Sequence, residues 1–150
     1  MSAIARFYLG QGDIAAAEKE NALVLQKRPK YFPARMLQSE LLIAKREFAP
    51  AVELLNQLVQ EEPKSARAHY FKGLAHFGQG DTRLAQAALS KSLELEGENL
   101  RARLLLAEIY LSERDADRAR REVEAALKIE PQNYQARLLL GNLQLGQRKY

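Results

Sequence analysis

The 150-residue sequence contains no cysteine, which excludes disulfides, thiolate metal sites and cysteine nucleophiles. A cysteine-free chain suits the cytoplasm and the bacterial periplasm equally, so the compartment stays open. Long hydrophobic runs are also missing, because Arg, Lys, Glu or Gln interrupts every apolar cluster before it reaches the roughly 20 residues that a membrane span needs. The first residues lack the basic start, apolar centre and cleavage site of a signal peptide. These absences predict a soluble segment with no direct membrane insertion.

A basic block is absent as well. The formal net charge is +4, from 23 Lys and Arg and 19 Asp and Glu residues, and the Arg-rich stretch 114–121 is interleaved with acidic residues. Such alternation is typical of a solvated helix face, so we expect no nucleic-acid partner. The hydrophobic content of 47% is enough to bury a core, and disorder is therefore not predicted.

Motifs for catalysis or cofactor binding are lacking too. The two histidines, His69 and His76, lie seven positions apart on one predicted helix, which is too small a set for a metal site unless carboxylates contribute. The segments 10–13 and 78–81 are rich in glycine, but the Lys-Ser/Thr pair of a phosphate-binding loop does not follow either of them. No Gly-x-Ser-x-Gly elbow occurs. We predict no metal, no cofactor and no enzyme activity, which would need a catalytic domain outside these residues.

What the sequence does contain is a 34-residue repeat. Pro29 and Pro63 are 34 positions apart, and further steps of 34 reach Gly97 and Pro131, each a residue that ends or breaks a helix. Three registers of small residues keep the same step: Ala17, Ala51, Ala85 and Ala119; Ala34, Ala68, Ala102 and Ala136; and Ala5, Ser39, Gly73, Ala107 and Gly141. This periodicity predicts repeated helix pairs whose helices cross closely.

Turn residues divide each repeat into two helices. In the pairs Gly12-Asp13 and Gly80-Asp81, glycine can adopt a positive φ and aspartate can cap the following helix. The same register predicts helix breaks at Arg46-Glu47 and Arg114-Asp115. We expect Gly73 in a first helix to lie against Ala85 in the second. One helix pair cannot bury both of its faces, so the pairs must stack.

This pattern resembles the tetratricopeptide repeat family, whose 34-residue unit is two antiparallel helices; residues 66–99 are the best copy. The resemblance implies an all-α fold, a right-handed superhelical solenoid of antiparallel helix pairs. Residues 1–31 would form a partial repeat, 32–65, 66–99 and 100–133 complete repeats, and 134–150 the first helix of a further repeat. We therefore expect a segment of a longer array, similar to the bacterial arrays of envelope, secretion and exopolysaccharide systems.

The resemblance also implies where a partner binds, because the first helices of this family line a concave groove. By register, a first row is expected to be exposed and a third row either to face the groove or to pack partly between units, with Arg67 and Arg101 at the rim beside Gln135. The three rows are Met36, Tyr70, Leu104 and Leu138; Glu40, Leu74, Glu108 and Asn142; and Ile43, Phe77, Leu111 and Leu145. An apolar groove with sparse charges predicts a scaffold or adaptor that binds a helical or extended apolar peptide.

Two other roles compete with this one. The family branch that clamps chaperone C-termini uses Lys, Asn and Arg in the groove, where this chain has residues such as Leu74 and Leu105, so that role is disfavoured. The alternative is a structural spacer or self-assembly module of a larger envelope, secretion or exopolysaccharide protein. The apolar end helices, around Ile4 and Phe7 and around Leu138 and Leu145, predict a homodimer through these ends.

Overall fold

The computed structural model describes residues 2–148, with side chains described for residues 3–146. Over residues 2–148 the chain forms nine helices and no strand, which confirms the predicted all-α fold. The parts of the predicted repeats that fall on Met1, Lys149 and Tyr150 lie outside the described residues. The helices are α1 Ser2–Gly10, α2 Ile14–Lys27, α3 Phe32–Ala44, α4 Phe48–Glu61, α5 Ala66–Gly78, α6 Thr82–Leu95, α7 Leu100–Ser112, α8 Ala116–Ile129 and α9 Tyr134–Arg148.

The short turns within each helix pair lie where the sequence predicts them, at all four positions. Gly12 and Gly80 have φ angles of 78° and 81°, the positive values that glycine adopts without strain. At the same register, Arg46 and Arg114 have φ angles of 63° and 61°. The turn geometry is therefore a property of the repeat, and in two of its four copies a residue with a Cβ must adopt a left-handed conformation.

Side-chain caps begin most of the helices after these turns. The carboxylate of Asp81 accepts a hydrogen bond of 3.1 Å from the backbone N–H of Leu84, and Asp13 and Asp115 cap α2 and α8 in the same way. Glu47, at the equivalent position before α4, makes no such bond. Each cap contributes about 1 kcal/mol, so the aspartates stabilise the second helices where glutamate does not.

Small residues lie at the helix crossings, as the repeat predicts. The alanines of the first two registers that recur every 34 residues are fully buried. A Cβ added to Gly73 would lie 2.7 Å from the Leu89 Cγ and 3.3 Å from the carbonyl oxygen of Ala85, so α5 and α6 approach closely at this glycine. At the same register in α9, a Cβ on Gly141 would meet nothing within 4 Å. The expected contact between Gly73 and the Ala85 backbone is confirmed.

The first helices of neighbouring pairs also contact one another, α1 with α3, α3 with α5, and α7 with α9. A hydrophobic core runs from Met36 to Leu143 through α3 to α9, and a smaller cluster joins α1, α2 and α3 around Leu37. This stacking places the first helices side by side and positions the candidate groove on their shared face. None of the helices within residues 2–148 is both long enough and apolar enough to cross a membrane.

Candidate peptide-binding groove

The first predicted row is mostly covered. Met36, Tyr70 and Leu104 are only 2%, 8% and 5% exposed, so the expectation that this row is exposed is wrong for these three residues. Neighbouring first helices contact one another, and side chains at this register join the core between them instead of facing solvent. Leu138 on α9, the last helix, has no further first helix against it in the described chain and is 51% exposed.

The other two rows provide the accessible surface. Ile43, Phe77 and Leu111 are partly buried and pack against the core, the second of the two arrangements open for the third row, while Leu145 is exposed. In the second row, Glu40, Leu74 and Glu108 are partly buried, whereas Asn142 on α9 is exposed. The groove floor is therefore built from the second row, with the third row at its side.

Two polar contacts between successive first helices join residues 27 positions apart. Arg67 on α5 forms a salt bridge with Glu40 on α3, whose carboxylate also lies 3.5 Å from Arg6 on α1. The Glu40 side chain is only 11% exposed between these two guanidinium groups. Two stacks further along, the side-chain amide of Gln135 donates a 2.5 Å hydrogen bond to Glu108. The Arg67 guanidinium is thus paired with a carboxylate of the chain itself.

Arg101 breaks this pattern because the residue 27 positions before it is Leu74, which cannot accept a hydrogen bond. The Arg101 guanidinium lies 5.8 Å from the centroid of the Tyr70 ring instead. Among the described residues no carboxylate forms a salt bridge with Arg101. Its N–H groups therefore remain able to bind an acceptor from outside the chain.

A cavity of about 180 Å³ opens at this break. Burial raises the pKa of the Tyr70 hydroxyl, an effect that Arg101 opposes and Glu108 reinforces, so the hydroxyl stays protonated at neutral pH. The cavity combines apolar walls with one cationic and one acidic group. Its lining residues are Tyr70, Leu74, Arg101, Leu104, Leu105, Glu108 and Gln135.

Four of the twelve residues in the predicted rows meet in this cavity together with the rim residue Arg101, and the other row residues lie elsewhere along the first helices. The four are Tyr70, Leu74, Leu104 and Glu108. The sequence placed Gln135 beside the rim and Leu105 at a position of the chaperone-clamping groove, and neither residue was predicted among the three rows. The contact of Gln135 with Glu108 could have been found from the 27-residue step between Arg67 and Glu40. Within the described residues, no group of three or more His, Cys, Asp or Glu side chains is placed to hold a metal ion.

Models of a known protein family match most of this chain. One model of the tetratricopeptide repeat family matches residues 8–75 and 76–125, and a second matches residues 109–150. The chain belongs to the tetratricopeptide repeat family. Proteins of this family are generally scaffolds for protein–protein interaction without enzyme activity, and the fold of this chain supports that general role. Its solenoid of stacked helix pairs is accordingly a tetratricopeptide solenoid.

Solved structures show the same fold. A crystal structure of MamA is 24% identical, with 96% of this chain and 84% of that chain covered and a TM-score of 0.81. A thermophilic tetratricopeptide protein of Thermus thermophilus is 26% identical over 94% of this chain and 78% of that one, with a TM-score of 0.82. The pilF protein of Pseudomonas aeruginosa is 20% identical over 95% and 65%, with a TM-score of 0.80. Among curated proteins no match was found.

Proposed function

We propose that this tetratricopeptide segment is an adaptor whose concave groove binds a helical or extended apolar segment of a partner protein, with its centre at the cavity around Leu74. The observation that supports this site most strongly is Arg101, which forms no salt bridge among the described residues while the equivalent Arg67 is paired with Glu40. A guanidinium beside apolar walls suits a ligand that offers a carboxylate next to an apolar side chain.

The side chains in the cavity would have different roles in binding a peptide. Leu74 is partly buried and accessible, so it supplies apolar contact area, while Tyr70 and Leu104 are buried and support the floor. Burial of apolar side chains in a pocket supplies most of the affinity of such sites. Arg101 and Glu108 flank this apolar patch with opposite charges, which would fix the direction of a bound peptide.

The test begins with peptides selected on the purified chain from a random phage-displayed library, and their Kd values are then measured by isothermal titration calorimetry. Loss of a charge-assisted hydrogen bond costs about 1.5–3 kcal/mol. Arg101→Gln should therefore weaken binding about tenfold or more, whereas the matched variant Arg67→Gln, which loses a guanidinium already paired with Glu40, should change the Kd little. Equal effects of the two variants, or none from either, would remove Arg101 from the site.

A second proposal, self-association, is favoured by the distribution of exposed apolar side chains. Of the large hydrophobic residues that are exposed, Ile4 and Phe7 lie on α1, and Tyr134, Leu138 and Leu145 lie on α9. Apolar patches of this kind associate with partners, and contact between identical ends would close as a two-fold dimer.

Sedimentation equilibrium tests this second proposal. A dimer is expected in the micromolar range, and Leu138→Glu should return the chain to a monomer because it places a charge in the apolar contact. A parent chain that stays monomeric throughout this range would exclude the dimer.

A further inference from the structure

A second cavity lies away from the concave groove, at the junction of α4, α5 and α6. Its volume is about 410 Å³, and it shares no lining residue with the cavity around Leu74. We call it the second-helix groove. It is lined by Asn56 of α4, by His69, Lys72 and His76 of α5, and by Leu84, Ala87, Ala88 and Lys91 of α6.

The basic groups of the second-helix groove are not required by the repeat. Where this unit has Lys72, His76 and Lys91, the preceding unit has Gln38, Leu42 and Gln57, and the following unit has Leu106, Tyr110 and Ala125. A cavity one unit earlier, of about 190 Å³, contains Gln38 and Leu42 at these positions together with the acidic Glu18. The neighbouring units stack without these charges, so the charges have no part in forming the solenoid.

Acidic partners found in the neighbouring units are missing here. At the register of His69 these units have Arg35, paired with Glu61 at 2.6 Å, and Arg103, paired with Glu122 at 3.0 Å. The positions of those two glutamates correspond to Leu95 and Ala88 in the unit 66–99. The unit 66–99 thus has basic side chains at the second-helix groove but lacks the carboxylates that pair with the arginines of the neighbouring units.

The lysines of the groove are correspondingly available. Lys72 makes no salt bridge with any described residue, and Lys91 forms only a surface pair with Glu94, 3.2 Å away, in which both side chains are at least half exposed. A surface pair of this kind contributes little and can be exchanged for another carboxylate. The groove thus presents two lysine side chains to a ligand.

His76 adds a buried polar atom. The residue is 6% exposed, and within the described chain its Nδ1 has no hydrogen-bond partner. Burial lowers the pKa of His76 and Lys72 lowers it further, against the opposing influence of Gln79 and Asp81, so the ring is neutral at pH 7. A buried ring nitrogen without a hydrogen-bond partner lowers the stability of the fold.

We propose that the second-helix groove binds an acidic side chain, Asp or Glu, that a partner protein presents beside an apolar residue. Charge complementarity selects this occupant: Lys72 and Lys91 supply the positive charge, while Leu84, which is 48% exposed, and Ala88 supply an apolar wall. The chain then has two binding surfaces, the concave groove and this one, and can connect two segments of one partner or of two.

The two histidines of the sequence both line this groove and therefore report on it without interference. Their imidazole C–H signals can be followed by ¹H–¹³C NMR and assigned with His69→Gln. The probe is a capped peptide of alternating Leu and Glu, titrated to millimolar concentration, with the matched Leu-Gln peptide and inorganic phosphate as separate titrations. The Leu-Glu peptide should shift the signals saturably, and the Leu-Gln peptide should not.

Variants separate this surface from the concave groove. Lys72→Gln with Lys91→Gln should weaken binding of the Leu-Glu peptide about tenfold, because two partly exposed ion pairs are lost. Lys128→Gln on α8, which removes an exposed lysine that lines neither groove, should leave the affinity unchanged. The proposal is overturned if the histidine signals do not move, if the Leu-Gln peptide binds equally well, or if only phosphate gives saturable shifts. Each variant's circular dichroism spectrum verifies that it folds.

Discussion

Substitutions in the turn at 80–81 and in its copy at 114–115 should change stability in opposite directions, because both turns contain a residue with a left-handed backbone conformation. Gly80 has a φ of 81°, and a Cβ added there would meet nothing within 4 Å, so Gly80→Ala changes only the backbone preference. A Cβ in the left-handed conformation costs about 1–2 kcal/mol. Alanine also restricts the unfolded chain, which returns about 0.4–1 kcal/mol. The free energy of unfolding should therefore fall by about 1 kcal/mol.

Arg114→Gly makes the opposite change, because Arg114 has a φ of 61° in the equivalent turn. The free energy of unfolding should rise by about 0.5–1 kcal/mol. Arg46→Gly should raise the free energy of unfolding by less than Arg114→Gly does. The Arg46 guanidinium lies 5.9 Å from the centroid of the Phe48 ring, and the substitution removes this cation–π contact. In a chain of this length, 1 kcal/mol corresponds to a change in Tm of about 2–4 °C.

The assay is urea unfolding followed by far-ultraviolet circular dichroism, with thermal melts alongside. Parent, Gly80→Ala and Arg114→Gly should show equal denaturant slopes and midpoints that move in opposite directions from the parent. If Gly80→Ala left the midpoint unchanged, or Arg114→Gly lowered it, the left-handed backbone at these positions would not carry the strain assigned to it.

Two further predictions concern the helix crossings. Gly73→Ala should lower the free energy of unfolding by about 1–3 kcal/mol because its Cβ would meet α6, while Gly141→Ala, at the same register with open space, should be neutral or slightly stabilising in thermal melts. Ala85→Leu and Ala119→Leu should each cost about 1–3 kcal/mol, because both alanines are fully buried; Tm values equal to the parent's would show that these crossings tolerate large residues.

The fold could be predicted from the sequence because every repeat indicates the same pair of helices. Small residues every 34 positions and the Gly-Asp turns indicated the helix pairs, and the structure has its breaks there. The left-handed φ values of Arg46 and Arg114 were not predicted. Arginine by itself does not indicate a left-handed turn, although glycine is the residue at the equivalent position of the other two turns.

The groove was predicted less well than the fold. Register placed Tyr70, Leu104 and Met36 on the correct helices, but their exposure depends on how closely adjacent first helices stack, which is set by packing across units instead of by spacing within one. The availability of Arg101 likewise depends on Leu74, the residue 27 positions earlier, which offers no side-chain acceptor to the guanidinium in the folded chain.

The position of a bound peptide on the solenoid tests the central claim most directly. A library-selected peptide titrated into ¹⁵N- and methyl-labelled protein should shift signals of Leu74, Arg101 and Leu105 on α5 and α7 most strongly, because these residues line the cavity. The outer helices α4, α6 and α8 should change little. Shifts concentrated on those outer helices, with the signals of Leu74 and Arg101 unmoved at saturation, would contradict the assignment of the concave groove as the binding site.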